Sequence, residues 1–158
     1  MNKVISNSTP LILLDKINHL HLLKELYRKV YVPQAVFDEI SNVKYVNNIF
    51  KENDFIEVAQ IKSKPLLYPT ALHSGEIEVF TLAKETKASL CILDDLLARN
   101  YAVHLGLKIT GTAGILLLAK ELQLIENVKP LIDKLAENGF RISPKLYQSI
   151  LIKANEMN

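Results

Sequence analysis

The four residues Leu90, Cys91, Ile92 and Leu93 are apolar without alternation, and Asp94 and Asp95 stop the run. A strand with one face in water alternates apolar and polar residues, so a run with no polar face reads as a strand buried on both sides. Covering both faces takes helices, and helices that cover a sheet usually connect parallel strands. The flanks agree. Upstream, Ser74 and Gly75 open a run with Ile77, Phe80, Leu82 and Ala83 at helical spacing, and Thr86 to Ala88 break it. Downstream, a helix from Leu96 to Leu105 stops at Gly106, followed by a strand from Leu107 to Thr110 and a turn at Gly111 and Thr112. Asp94 and Asp95 thus fall at the carboxyl end of a strand, the edge where open α/β sheets hold their ligands. Glu76 falls in the first turn of its helix, where the macrodipole favours negative charge.

The same alternation extends in both directions. Val4 and Ile5 form a short first strand, and Thr9 with Pro10 predicts a helix start carrying Leu11, Leu14 and Ile17. A second helical run holds Leu22, Leu23, Leu26 and Tyr27. Val30 to Val32 reads as a strand, and Pro33 opens a helix through Ile40 with Asp38 and Glu39 near its end. Adjacent helical side chains diverge by about 100°, so only one of these two carboxylates is expected to point inward. Tyr45, Val46, Ile49 and Phe50 predict a short amphipathic helix, Phe55 to Ile61 a strand, and Lys62 to Thr70 a loop. Helices from Ala113 to Leu122, from Lys129 to Glu137, and from the Ser143-Pro144 cap to Ala154 complete the chain. No repeat or linker divides it, and the expectation for residues 1–158 is a single α/β domain with a mostly parallel sheet.

Several function classes drop out. The one cysteine excludes a disulfide framework and a cysteine-based zinc site, and its place in the apolar strand makes it a core residue. His19, His21, His73 and His104 show no zinc-hydrolase spacing. Only His73 lies near the acidic stretch. The net charge of +2 announces no nucleic-acid binder, although a local basic patch is compatible with it. No apolar run approaches the ~20 residues needed to span a bilayer, and the N-terminus has no long apolar stretch for secretion. A cytoplasmic protein is the expectation, which makes the Asn7-Ser8-Thr9 sequon fortuitous.

What remains is a set of oxygen-bearing side chains at element ends: Asn7, Glu39, Glu76, Asp94 and Asp95. Hard divalent cations such as Mg²⁺ and Mn²⁺ take carboxylate, carbonyl and water oxygens, and carboxylates that converge without a cation raise one another's pKa. Spacing alone leaves the bland reading open, in which each is a surface charge and Asp95 with Arg99 a helical ion pair worth ~0.3–0.5 kcal/mol.

At these residues the chain resembles the PIN-domain family, the metal-dependent ribonuclease fold that includes VapC-type toxins. The resemblance lies in VISNSTPLILL at 4–14, VPQAVFDEI at 32–40, LHSGEIEVFTLA at 72–83 and CILDDLLARNYAVHLGLKITGTAGILLLAK at 91–120. The last block is similar to a PIN subgroup with LDDxxAR and TGTxG elements. The resemblance implies a three-layer α/β/α fold and an acidic quartet on Asn7, Glu39, Glu76 and Asp94, with Asp95 adjacent. It implies catalytic carboxylates at Glu39, Glu76, Asp94 and Asp95, binding one or two Mg²⁺ or Mn²⁺ ions together with Asn7. Ser8 or Thr9 would orient the site from the first loop, and Arg99 would hold a phosphate or orient Asp94 and Asp95. The chain departs from the wider family at Asn7, where an aspartate is the rule; an amide oxygen coordinates but carries no charge and cannot act as a base.

The resemblance supports an endoribonuclease, as the toxin of a toxin-antitoxin pair in one version. A different class is a catalytically weakened module that binds RNA or a protein without cutting. A receiver-like phosphotransfer domain would also use an acidic pair after a strand, but no glycine-rich phosphate loop accompanies it. Homodimerisation is implied by the family, with Tyr45, Ile49 and Phe50 as spare apolar positions; an antitoxin partner follows only from the toxin version.

Overall fold

The computed structural model describes residues 3–43, 49–64 and 72–157. Its strands are β1 (Val4–Ser6), β2 (Val30–Val32), β3 (Ile56–Val58), β4 (Leu90–Ile92) and β5 (Ile109–Thr110). They pair in the order β3-β2-β1-β4-β5, every pairing parallel. The helices are α1 (Ser8–Lys16), α2 (His21–Tyr27), α3 (Gln34–Ser41), α4 (Ile49–Glu52), α5 (Ser74–Thr86), α6 (Leu96–His104), α7 (Thr112–Glu121), α8 (Lys129–Glu137) and α9 (Pro144–Lys153). The fold is a three-layer α/β/α sandwich, as the unalternating run at 90–93 required.

The first strand is the middle strand. From β1 the chain steps outward to β2 and β3, then returns to lay β4 on the other side of β1. The direction of winding reverses between β1 and β4, and the crevice beyond the carboxyl ends of two such strands is where open α/β sheets bind ligands. Register brings the two ends together: Ser6 pairs with Ile92, and the Asn7 N–H donates to the Ile92 carbonyl at 3.0 Å. Ile5, Leu11, Leu14, Val32, Phe80, Ile92, Leu93 and Ile115 are sealed in the core around this junction. At roughly 1.5–3 kcal/mol for each large side chain removed from water, their burial fixes the strand ends relative to the helices.

Three strands are shorter than the sequence predicts, β4 only by Leu93. β3 ends at Val58 because the chain then leaves the ladder. Ala59 makes a last bond to the Val32 carbonyl, and the amides of Lys62 and Ser63 bond instead to the Glu85 carboxylate at 2.9–3.0 Å. β5 starts only at Ile109, since the Leu107 N–H is already taken by the Ala102 carbonyl at the end of α6. Tyr45 and Val46 lie outside the described residues. Ile49 is buried, and the Phe50 ring packs 4.6 Å from that of Phe37, so neither is a spare apolar side chain. Buried Cys91 has its thiol pushed up to about 12 by desolvation, in keeping with a core role.

Candidate functional site

Asn7 follows β1 directly and is the N-cap of α1, a place the sequence predicts for Thr9. Ser8 and Thr9 are accordingly the first two helical residues rather than a loop, with Ser8 buried and Thr9 exposed. An N-cap asparagine normally folds its side-chain oxygen back onto the N–H of the second or third helical residue. Here the third is Pro10, which has no N–H, and Asn7 makes no capping bond with its side chain. Its Oδ1 is left buried with no hydrogen-bond partner, the one such side-chain atom among the described residues. The residue as a whole is only 7% exposed.

Gly75 shows where that oxygen points. A methyl group on its Cα would lie 3.4 Å from Asn7 Oδ1 and 3.0 Å from Glu39 Oε2. The bare glycine is a cradle over which an amide oxygen from α1 and a carboxylate from α3 meet. α3 is held against α5 in turn, because the Ala35 N–H at its start donates to Glu78 Oε1 at 3.0 Å. Asp38, the neighbour of Glu39, accepts from Gln34 Nε2 at 2.8 Å, which leaves Glu39 as the carboxylate over Gly75. Glu76 is buried in the first turn of α5. Its Oε2 accepts the His73 N–H at 2.7 Å while the His73 ring reciprocates, a capping box built with histidine at the N-cap. Ala35, Asp38, Glu39, His73 and Ser74 line an open cleft of about 420 Å³ beside these residues.

Asp94 and Asp95 leave β4 in different directions. Asp95 is the N-cap of α6, its Oδ2 accepting from the Ala98 N–H at 3.0 Å. Asp94 turns to α7: Oδ1 accepts the Thr112 N–H at 2.8 Å and Oδ2 the Thr112 hydroxyl at 2.6 Å. Arg99 Nη1 donates to the Leu93 carbonyl at 3.1 Å, and its charge bears on Asp94. The helical ion pair of Arg99 with Asp95 does not form among the described residues. The sequence reading missed Thr112 and Gly111, although the TGT element carrying both was in view.

Charge follows this geometry. Burial pushes the Glu76 carboxyl above the ordinary range; the His73 bond pulls it back, and the charges of Asp95 and Glu39 add to the rise. Burial likewise raises Asp94, against the two Thr112 bonds and Arg99. A carboxyl with a raised native pKa holds its proton where the unfolded chain has lost it. The native state then binds more protons, and this group's contribution to stability falls as pH rises from the unfolded pKa through the native one. Glu76→Gln keeps an oxygen for His73 but removes the ionisation. In metal-free buffer its melting temperature relative to the parent should therefore rise as the pH climbs from about 4, the ordinary carboxylate value, through the raised native one. A constant difference across that range would show that ionised Glu76 carries no burial penalty.

The family model for PIN domains (DUF3368) matches residues 3–156. The chain belongs to the PIN-domain family. Among solved structures, this PIN domain is similar to a PilT N-terminus domain protein, SSO1118, from the hyperthermophilic archaeon Sulfolobus solfataricus P2. That likeness has a TM-score of 0.55 at 21% identity, covering 78% of this chain and 95% of the archaeal one, and it concerns the fold alone. Among curated proteins nothing matches. PIN domains form a nuclease-like superfamily, generally use divalent metal ions and commonly bind RNA.

The residues of this PIN domain fit such an ion in kind. Asn7 Oδ1 is an orphaned hard donor beside the same glycine as Glu39 Oε2, and the charges of Glu39 and Asp95 both bear on Glu76. They fit less well in charge. Among the described residues no three His, Cys, Asp or Glu side chains are placed to hold an ion by themselves, so Glu39, Glu76 and Asp95 do not converge as a trio, and Asp94 is turned to Thr112. No helix among the described residues is long and apolar enough to cross a membrane.

Proposed function

We propose that residues 1–158 are one PIN-like endoribonuclease domain that hydrolyses RNA phosphodiester bonds with Mg²⁺ or Mn²⁺, at a site weakened by Asn7. The carrying observation is the buried, orphaned Asn7 Oδ1, which lies beside the same Gly75 as the exposed carboxylate of Glu39. A buried acceptor left unpaired, as Asn7 Oδ1 is, costs free energy unless a donor or a cation joins it. Asn7, Glu39, Glu76 and a carboxylate of the pair Asp94 and Asp95 would hold the ion. When bound, it supplies an activated water and stabilises charge on the phosphoryl oxygens. Ser8 and Thr9, at the start of α1, orient this edge, and Arg99 steadies the end of β4 with further N–H groups to offer a phosphate. We place the protein in the cytoplasm, as a homodimer and, in the narrowest version, as a toxin with an antitoxin partner.

The test is Mn²⁺ calorimetry of the parent beside Asn7→Asp. Restoring the fourth negative charge should tighten binding by about tenfold, since ligand charge tunes such sites. Unchanged or weaker binding in the variant would sink the weakened-site reading.

Asn7 also favours a second reading, a PIN domain that binds RNA or a protein partner without cutting, because an amide can neither add charge nor take a proton. RNA cleavage in the presence of Mn²⁺ by Asn7→Asp, with none by the parent, would select it.

A further inference from the structure

We propose that Glu78 is a positioning residue of the cleft: by capping α3 from a neighbouring helix, it sets where Glu39 stands relative to Gly75 and Asn7. This role rests on the metal-site reading above and adds to it a residue that holds no ion itself.

α3 begins without a cap of its own. Its N-cap is Pro33, whose side chain has no oxygen to offer. The N–H groups of a first turn have no acceptor within their own helix, and Ala35 carries one of them. Glu78 supplies the acceptor from α5, its Oε1 taking the Ala35 N–H at 3.0 Å. A carboxylate suits that end of a helix, where the aligned peptides leave partial positive charge.

The two helices exchange glutamates. Helical side chains lean toward the N-terminus of their own helix, so a long one covers the turn before it. Glu78, on the second turn of α5, reaches Ala35, the second residue of α3. Glu39, on the second turn of α3, comes to Gly75, the second residue of α5. Fully buried Val36 packs at the same place, its Cγ2 3.5 Å from the methyl that Gly75 lacks.

The exchange is unequal in use. Glu78 is bonded to main chain and partly buried, whereas Glu39 is exposed and makes no hydrogen bond or ion pair among the described residues. One glutamate fixes the helices and the other is left free to meet a ligand. The cleft between them is lined by Ala35 and Glu39 from α3 and by His73 and Ser74 from the start of α5, so the Glu78 bond ties one wall to the other. Binding constellations work only when held to within about 0.5 Å, and a first turn with a bare N–H is free to shift by that much.

Glu78→Ala and Glu78→Gln in the full chain are compared with the parent by amide hydrogen exchange, by thermal melting in metal-free buffer and by Mn²⁺ calorimetry well below the melting transition. Alanine is the best helix former, so Glu78→Ala leaves α5 itself intact. It should speed exchange of the Ala35 N–H by about tenfold or more, as local opening becomes easier. Its melting temperature should fall by roughly 2–4 °C, the effect of a lost cap in a domain of this size. Mn²⁺ binding should weaken by about tenfold, as it does when a group that orients a ligand is removed. Glutamine keeps an oxygen for Ala35 and drops the charge, so Glu78→Gln should restore slow exchange and bring Mn²⁺ affinity to within about threefold of the parent. An Ala35 N–H that exchanges equally fast in the parent and in Glu78→Ala overturns the capping bond itself. A Glu78→Ala protein that melts lower but binds Mn²⁺ as the parent does overturns the positioning role and leaves the metal site standing. Binding lost as fully in Glu78→Gln as in Glu78→Ala overturns it too, because Glu78 would then act through its charge. A parent that binds no Mn²⁺ at millimolar concentration overturns the metal-site reading and, with it, the role given to Glu78.

Discussion

Phe80→Ala is expected to destabilise the protein by about 3–5 kcal/mol, the range for emptying a buried aromatic site. For a domain of this length that is a fall of roughly 6–20 °C in melting temperature. Phe80 is fully buried on α5, with its ring centroid 6.1 Å from that of Tyr101 on α6. It lies between the helix that carries Glu76 and the helix that Asp95 caps, so the void would open behind the site. Dense interiors relax only partly around such a deletion, and the lost contacts add to the lost transfer free energy. Thermal or urea denaturation measures it. A loss below about 2 kcal/mol would mean that α5 and α6 collapse onto one another, and the position of Glu76 relative to Asp95 would then be soft.

The second large effect is at Gly111. Its φ of −129° is open to any residue, so a change to alanine strains no backbone dihedral and the argument is one of space alone. The added methyl would meet Arg99 Nη1, Asp94 Oδ1 and, at 3.2 Å, the Leu93 carbonyl. Two of these are far inside ordinary contact, and the third is main chain that cannot swing away. Overpacking of this kind costs about 1–3 kcal/mol, and we expect Gly111→Ala near the upper end. Circular-dichroism melting of the variant should show that loss; a melting temperature equal to the parent's would mean that Arg99 and Asp94 do not share the gap in solution. Gly106 makes the contrast. No described residue lies within 4 Å of a methyl there, and the glycine is used for its φ of +76° at the end of α6.

The layer order was legible because burial on both faces leaves a pattern in the sequence. Leu90 to Leu93 could satisfy its apolar sides only under two layers of helix, and Val4-Ile5 and Val30-Val32 became its parallel neighbours by the same logic. Glu76 was legible through its helix start, and Asp94 with Asp95 through the strand they end. The first helix was misread by one turn's beginning, since Asn7 and Thr9 are both good caps and Pro10 fits several early helical positions. The division between Asp94 and Asp95 was not legible. It depends on Thr112, which local pattern does not connect to residue 94, and on a glycine whose importance is the absence of a side chain where Arg99 passes. Gly75 was hidden for the same reason, with its neighbours Asn7 and Glu39 on two other helices.

The centre of the sheet is also its earliest-made part. β1 pairs with β2 on one side, but its other neighbour is β4, whose residues are joined to the growing chain only after α1 to α5 have been made. Through most of synthesis on the ribosome, the apolar β1 therefore has one edge open, the situation in which parallel sheets fold slowly and emerging chains need protection from aggregation. The contact that closes that edge, Ser6 beside Ile92 with the Asn7 amide on the Ile92 carbonyl, is the contact that fixes Asn7 beside the end of β4. Asn7 therefore gains its fixed place beside Asp94 and Asp95 only once the chain has grown past the fourth strand, so a shortened nascent chain lacks that part of the site.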